Sequence, residues 1–117
     1  MKRSISVILL ICIMGLIFVG CGDLTTTSSV VKYEITGSAS KVDVTLNNET
    51  GGTEQFTGVS VPHTYIFNDY NDWFLYISAQ NQGESGSVTV TIYVDGALFK
   101  TSTSSGAYVI ASASGSR

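Results

Sequence analysis

Apolar and polar side chains alternate along much of the chain after residue 30, and this period of two predicts short β-strands. The alternating segments span residues 31–36, 42–47, 53–60, 63–67, 73–80, 87–94, 97–103 and 107–113. Gly, Asn, Asp and Ser separate them, and no helical period of useful length occurs after residue 30. Seven to eight short antiparallel strands in about ninety residues predict an immunoglobulin-like β-sandwich.

The dipeptide Asp95-Gly96 gives the clearest hairpin signal, because a two-residue type I′ turn needs positive φ at both central positions. Such a turn places Tyr93 opposite Leu98 and Ile92 opposite Phe99. The pair Ile92–Phe99 is then expected in the core, and Tyr93 and Leu98 on the outer face.

A second pairing follows if strand 73–80 lies antiparallel to strand 87–94 across the loop "NQGESG". This arrangement predicts an aromatic row on a solvent-facing surface, which is unusual enough to suggest a partner surface. Its residues are Phe74, Tyr76, Tyr93 and Leu98.

The other large aromatic residues of this region are expected in the core. A sandwich of this size without a disulfide needs bulky side chains such as Tyr65, Phe67 and Trp73 to fill its interior. The predicted row could itself be covered by the segment before the sandwich or by the end of the chain.

The first twenty residues have the pattern of an export signal. Lys2 and Arg3 precede residues 5–19, of which thirteen of fifteen are apolar, and a small residue, Gly20, follows. This run is short for a membrane span, which needs about 20 apolar residues. The positive charges at its start predict that the rest of the chain lies outside the membrane.

Residues 18–21, "FVGC", resemble the lipobox of bacterial lipoprotein precursors, although Phe18 stands where Leu is usual. The resemblance implies that the signal peptide, residues 1–20, is cleaved and that Cys21 carries a diacylglyceryl group. An uncleaved anchor helix is the alternative, and it gives the same topology. Both readings place the chain on the extracytoplasmic face of the cell membrane.

Cysteine counting agrees with lipid attachment. Cys12 would leave with the signal peptide, so Cys21 would be the only cysteine of the mature chain and could form no internal disulfide. The polar residues after it predict a flexible tether over 21–29 and a sandwich domain over 30–117.

Charge narrows the classes of partner. From Cys21 onward, four basic and nine acidic residues leave a net charge of −5. Nucleic-acid binding is not expected because that function needs a basic patch. Electrostatic docking onto anionic lipid headgroups is not expected either.

Catalytic and metal-binding signatures are sparse. His63 is the only histidine, it has no nucleophile motif beside it, and a half-exposed structural role is expected for it. The stretch "NDYND", residues 68–72, is expected to be a loop with oxygen ligands but without the spacing of a calcium loop. We therefore expect no enzyme activity, no metal site and no cofactor.

Three segments, residues 31–55, 77–96 and 104–116, resemble the mycobacterial small membrane protein family, MmpS, and related lipoproteins of unknown role. The resemblance implies an extracytoplasmic immunoglobulin-like domain that assists large exporters of lipids and siderophores. The chain departs from that family in two ways. The family has an anchor helix where this chain has a lipobox, and many members carry a cysteine pair near Val90 and Ala113 and a Trp where His63 follows Pro62.

The function expected from these features is that of a lipid-anchored binding or accessory protein for a membrane transporter or envelope assembly. The alternative is a small carbohydrate- or peptide-binding module that uses the outer aromatic row.

Overall fold

Eight antiparallel β-strands form from the alternating segments in the computed structural model, which describes residues 28–117. They are β1 (Ser29–Thr36), β2 (Lys41–Asn47), β3 (Thr53–Ser60), β4 (His63–Tyr70), β5 (Phe74–Asn81), β6 (Ser87–Val94), β7 (Ala97–Ser105) and β8 (Ile110–Ser116). The predicted signal peptide, Cys21 and most of the predicted tether lie outside the described residues. Within those residues, no helix is long and apolar enough to cross a membrane.

The strands form two four-stranded sheets. The first sheet has the order β4-β1-β6-β7, and the second has the order β3-β2-β5-β8. The predicted sandwich of seven to eight antiparallel strands is therefore confirmed. Because β1 and β2 lie in different sheets, as do β5 and β6, several connections cross from one layer to the other.

The core lies between the sheets and is built from the inward positions of the alternation. On β1 these are Val31, Tyr33 and Ile35, all fully buried. Fully or almost fully buried apolar residues of the other strands are Val42, Val44, Leu46, Tyr70, Leu75, Ile77, Ala79, Val88, Val90, Ile92, Ala111 and Ala113. The period of two thus identified the buried faces of β1, β2, β5 and β6 correctly.

The Asp95-Gly96 hairpin confirms one part of its prediction and corrects another. Asp95 and Gly96 have φ of 51° and 83°, as a type I′ turn requires, and Tyr93 pairs with Leu98. A bulge then shifts the register, so that Ile92 pairs with Lys100 and not with Phe99. Phe99 is the extra residue of the bulge.

The bulge directs Phe99 toward the neighbouring strand β8, where its ring packs over Gly115. A Cβ atom at Gly115 would lie 3.0 Å from that ring, so a larger residue there would require the ring to shift by a few tenths of an ångström. Phe99 is half-buried and contacts the core cluster. The shift in register is thus coupled to the packing of one aromatic ring.

The predicted pairing of strand 73–80 with strand 87–94 is wrong. β5 pairs with β2 and β8, whereas β6 pairs with β1 and β7. The intervening loop crosses between the sheets. It is held by Asn81, whose Nδ2 donates to the carbonyl oxygens of Ser85 at 2.8 Å and Gly106 at 3.1 Å.

Two local expectations near residue 70 are also wrong. The stretch 68–72 is not a loop throughout, because β4 continues to Tyr70, which is fully buried. Trp73 is not in the core and is 65% exposed. Tyr65 and Phe67, which were also expected in the core, are half-buried and pack against it.

The two ends of the sandwich differ in what they hold. The Ser29 end comprises the start of β1, the turns at 48–52, 71–73 and 95–96, and Arg117. The opposite end, named here the Pro62 end, comprises the turns at 37–40, 61–62, 82–86 and 106–109. The chain therefore enters the sandwich at the Ser29 end.

Candidate functional site

The four residues of the predicted aromatic row lie on two different surfaces. Phe74 and Tyr76 are on the outer face of the second sheet, and Tyr93 and Leu98 are on the outer face of the first. The row as predicted does not exist, because β5 and β6 belong to different sheets. The half formed by Tyr93 and Leu98 survives, since these two residues pair directly.

A different row crosses the whole first sheet. Lys32 pairs with Ile66 on one side and with Tyr93 on the other, and Tyr93 pairs with Leu98. We call Ile66, Lys32, Tyr93 and Leu98 the cross-strand row. Ile66 is 58% exposed and Leu98 is 62% exposed, so each edge of the row presents an aliphatic side chain to solvent.

The centre of the row is held by a cation–π contact. The Lys32 ammonium lies 4.7 Å from the centroid of the Tyr93 ring. This distance is within the range at which the negative face of an aromatic ring attracts a cation. The contact orients the lysine stem over the sheet, so the row is a nearly continuous apolar strip with one positive charge.

The rest of this outer face is hydroxyl-rich and internally bonded. Thr89 and Thr103 are joined through their Oγ1 atoms at 2.8 Å, and Thr91 and Thr101 at 3.1 Å. These cross-strand hydroxyl pairs satisfy one another and leave a polar surface. The exposed apolar part of the face is thus concentrated in the cross-strand row and the adjacent Val30, close to the Ser29 end.

The outer face of the second sheet carries a shallow depression of 340 Å³. Polar side chains dominate its lining, among them Asp43, Gln55 and Gln80, with Ile110 at one side. Two of these groups are already engaged, since Asp43 Oδ1 accepts from the Gly58 amide at 3.2 Å and Gln80 Nε2 donates to the Tyr108 carbonyl at 3.1 Å. Tyr76 lies on β5, the strand that carries Gln80, but it does not line the depression.

A buried polar network occupies the Ser29 end of the core. The Tyr33 hydroxyl donates to the Asn47 carbonyl oxygen at 2.8 Å and lies 3.1 Å from the Tyr70 hydroxyl. The Tyr70 hydroxyl donates to the Phe74 carbonyl oxygen at 2.7 Å. Asn47 Nδ2 donates to the Asp72 carboxylate and to the Phe74 carbonyl oxygen, both at 2.9 Å.

The tyrosine hydroxyls of this network have a structural role. Burial raises the pKa of Tyr33, and its hydrogen bond with the Tyr70 hydroxyl raises it further. Burial also raises the pKa of Tyr70, although hydrogen bonds with Tyr33 and Asn47 oppose the shift. Both phenols therefore stay protonated at neutral pH and act as hydrogen-bond donors, not as nucleophiles or bases.

Arg117 closes the same end from outside. Its Nη2 donates to the Tyr70 carbonyl oxygen at 2.7 Å, its Nη1 to Ser29 Oγ at 2.7 Å and its Nε to the Asp72 carbonyl oxygen at 3.1 Å. The guanidinium carbon also lies 5.7 Å from the centroid of the Tyr70 ring. Arg117 thereby links the start of β1 to the end of β4.

Within residues 28–117, the histidine and the acidic residues that the sequence offered for catalysis or metal binding do not come together in one site. His63 is exposed at the first position of β4, with its ring 4.5 Å from the Tyr65 ring. The Asp72 carboxylate accepts a hydrogen bond from Asn47 Nδ2, and Asp69 lies on β4. Between residues 28 and 117, no group of three or more His, Cys, Asp or Glu side chains could hold a metal ion.

Sequence reasoning missed Ile66 and Lys32 as members of the surface. Their outward orientation was readable from the alternation of β4 and β1, but alternation does not show which strands are neighbours. It also missed Asn47 and Tyr70, because the polar residues around Tyr70 hid a buried position. An aromatic residue flanked by Asn and Asp at a strand end was the available signal.

A scan against protein-family models and a search of curated proteins each found no match to the chain. The resemblance to the mycobacterial small membrane protein family stays a prediction.

Proposed function

We propose that the protein is a lipid-anchored, extracytoplasmic accessory protein that binds a membrane-embedded partner through the cross-strand row. It acts by binding and not by catalysis. The observation that carries the proposal is the row itself, a largely apolar strip with exposed aliphatic ends that spans four strands of a face otherwise rich in hydroxyl groups. The partner we favour is a polytopic transporter or a component of an envelope assembly.

The position of the row favours a partner in the same membrane. Lys32 is three residues after Ser29, which places the row about 10 Å from the Ser29 end at roughly 3.3 Å per residue. A lipid on Cys21 would hold Ser29 within about 27 Å of the membrane, since eight residues span at most roughly 3.4 Å each. A protein that rises only slightly above the lipid can therefore reach the row.

The chemistry of the row favours a protein surface over a lipid surface. The chain from Cys21 onward has a net charge of −5, so anionic lipid headgroups would repel the domain as a whole. Lys32 provides one positive charge between two aliphatic residues. A complementary site would have an apolar groove with an acceptor or carboxylate near its centre.

A capture experiment tests this proposal. The tagged protein is isolated from detergent-solubilised membranes of its own cells, and co-purified proteins are identified by mass spectrometry. We expect a polytopic membrane protein whose recovery is lost with Ile66→Ser/Leu98→Ser. The matched control is Tyr108→Ser/Ile110→Ser, which removes two similarly exposed apolar side chains near the Pro62 end and should leave recovery unchanged.

Two further readouts complete that test. Urea denaturation of both double variants must show that the sandwich still folds, as expected for changes at exposed positions. Equal recovery with Ile66→Ser/Leu98→Ser and with the wild type would contradict the assignment of the row. Mass spectrometry of the mature protein tests the anchor separately, because an intact Met1 with an unmodified Cys21 would refute lipid attachment.

The depression on the second sheet supports a second candidate, a carbohydrate-binding module. Its amide and carboxylate groups, with Tyr76 nearby on the same face, are groups that bind sugar hydroxyls and stack on sugar rings. Binding on a glycan array that is lost with Gln55→Ala but kept with Ile66→Ser/Leu98→Ser would favour this candidate. Absence of any glycan binding would remove it.

A further inference from the structure

Trp73 is the single tryptophan of the chain and is exposed on the turn between β4 and β5. It is 65% exposed, and its only ring contact in the described part of the chain is with Phe74, at 5.6 Å between centroids. A tryptophan left in water keeps a large apolar surface unburied. This exposure suggests that the ring has a different environment in the cell.

The turn that carries Trp73 is held by hydrogen bonds on both sides. The Asn71 amide donates to the Glu49 carbonyl oxygen at 3.1 Å, and the Arg117 amide donates to the Trp73 carbonyl oxygen at 2.9 Å. The Asp72 carboxylate accepts from Asn47 Nδ2 at 2.9 Å. The backbone beneath the indole is therefore fixed to two other parts of the Ser29 end, and the ring is presented from a rigid base.

The location of this turn decides what can cover the ring. It lies at the Ser29 end, where the chain enters the sandwich and where the segment from Cys21 begins its reach of about 27 Å to the membrane. Val30 at the same end is 42% exposed. An indole placed at this end of a membrane-anchored domain is within reach of the lipid–water interface, where Trp is enriched in membrane proteins.

We propose that Trp73 seats the Ser29 end of the sandwich in the interfacial layer of the membrane. This inference rests on the membrane anchoring that forms part of the proposed function. It adds an orientation to that function, because an indole inserted from the 71–73 turn leaves the Pro62 end pointing away from the lipid. The cross-strand row on the side of the sandwich then faces along the membrane plane toward its partner.

The charges at this end specify the kind of lipid. Glu49, Asp69, Asp72 and Asp95 lie there, and the guanidinium of Arg117 is directed toward the domain itself. The interaction must therefore come from the apolar indole and not from charge attraction. Zwitterionic phosphatidylcholine suits this surface better than anionic lipid, and the seat should be insensitive to moderate salt.

Because Trp73 is the only tryptophan, its fluorescence reports the seat directly. The membrane-anchored protein is reconstituted into vesicles of phosphatidylcholine whose acyl chains carry bromine near the headgroup. Flotation of the vesicles confirms that the protein is bound to them. We expect bromine to quench most of the Trp73 emission, with a shift to shorter wavelength. Anionic vesicles should give weaker quenching.

The matched control moves the tryptophan to the other end of the sandwich. Trp73→Phe/Tyr108→Trp places it at an exposed position in the turn at 106–109, and its emission should be unaffected by bromine. Unquenched Trp73 in protein that floats with the vesicles would overturn the proposal, as would equal quenching at residue 108 or stronger quenching on anionic vesicles.

The outcome is separable from that of the proposed function. The mass of the mature protein shows whether Cys21 carries the lipid, and the capture experiment tests the cross-strand row. Quenching of Trp73 supports insertion of the indole into the interfacial layer, whether the anchor is a lipid on Cys21 or a retained apolar segment. Loss of partner capture with normal quenching would contradict the accessory role alone.

Discussion

Arg117 donates a hydrogen bond from Nη1 to Oγ of Ser29 at 2.7 Å, and so connects residues that are 88 positions apart in the chain. Ser29 is the first residue of β1 and lies at the point where any pull from a membrane anchor would enter the domain. The same guanidinium also holds the end of β4 through the Tyr70 carbonyl oxygen. This linkage closes the end of the sandwich that we place next to the membrane.

Removal of the Arg117 side chain should weaken this end. Arg117→Ala deletes the hydrogen bonds to Ser29, Tyr70 and Asp72 from a charged donor, and we expect the free energy of unfolding to fall by about 1–2 kcal/mol, allowing for the exposure of the site. Urea denaturation measures this loss in the free energy of unfolding. Lys100→Ala, which removes the same charge from an exposed site on β7, is the control, and an equal loss in both variants would contradict the linkage.

Alkaline pH should unfold the domain through Tyr33 and Tyr70. The pKa of each is raised from its ordinary value of 10.0 by burial. In the unfolded chain both phenols lose their protons near pH 10, whereas in the folded chain they keep them to higher pH. Stability is therefore unaffected below pH 10 and falls above it, by up to about 1.4 kcal/mol per pH unit for each tyrosine.

Tyr33→Phe isolates that effect. The variant should be less stable at neutral pH by about 1 kcal/mol, because it loses the hydrogen bond to Asn47. Its decline above pH 10 should be shallower than that of the wild type, since one titrating group is gone. Tyr108→Phe, at an exposed site, should keep the wild-type slope, and an unchanged slope in Tyr33→Phe would show that Tyr33 does not control alkaline unfolding.

The alternation of side chains predicted the buried faces of β1, β2, β5 and β6 because burial of one sheet face imposes a period of two. It could not predict which strands would be neighbours, and this is why Tyr93 kept its partner Leu98 but lost Phe74. Turn chemistry predicted the Asp95-Gly96 hairpin, whereas the shift at Phe99 depends on a ring packing over Gly115 of a distant strand. Contacts of that kind are not encoded locally.

Val90 and Ala113 provide a test of the resemblance to the mycobacterial small membrane protein family. Val90 is fully buried on β6, Ala113 is almost fully buried on β8, and these strands pack against each other across the two sheets. The resemblance implies that cysteines at these positions can pair. We expect Val90→Cys/Ala113→Cys to form a disulfide under oxidising conditions and to gain about 2–4 kcal/mol over its reduced form.

Peptide mass spectrometry and urea denaturation of the oxidised and reduced forms check that expectation. Two free thiols at 90 and 113 after oxidation of a folded variant would count against the proposed correspondence of positions. A bridge between them would strengthen it without assigning an exporter.

The central claim is that the cross-strand row contacts a membrane protein in the cell, and site-specific photo-crosslinking tests it most directly. A photoreactive amino acid is placed at Leu98 in the row or at Ile110 on the second sheet, two sites of similar exposure. After illumination of intact cells, we predict an adduct with a polytopic membrane protein from position 98 and none from position 110. No adduct from position 98, or the same adduct from both positions, would contradict the account.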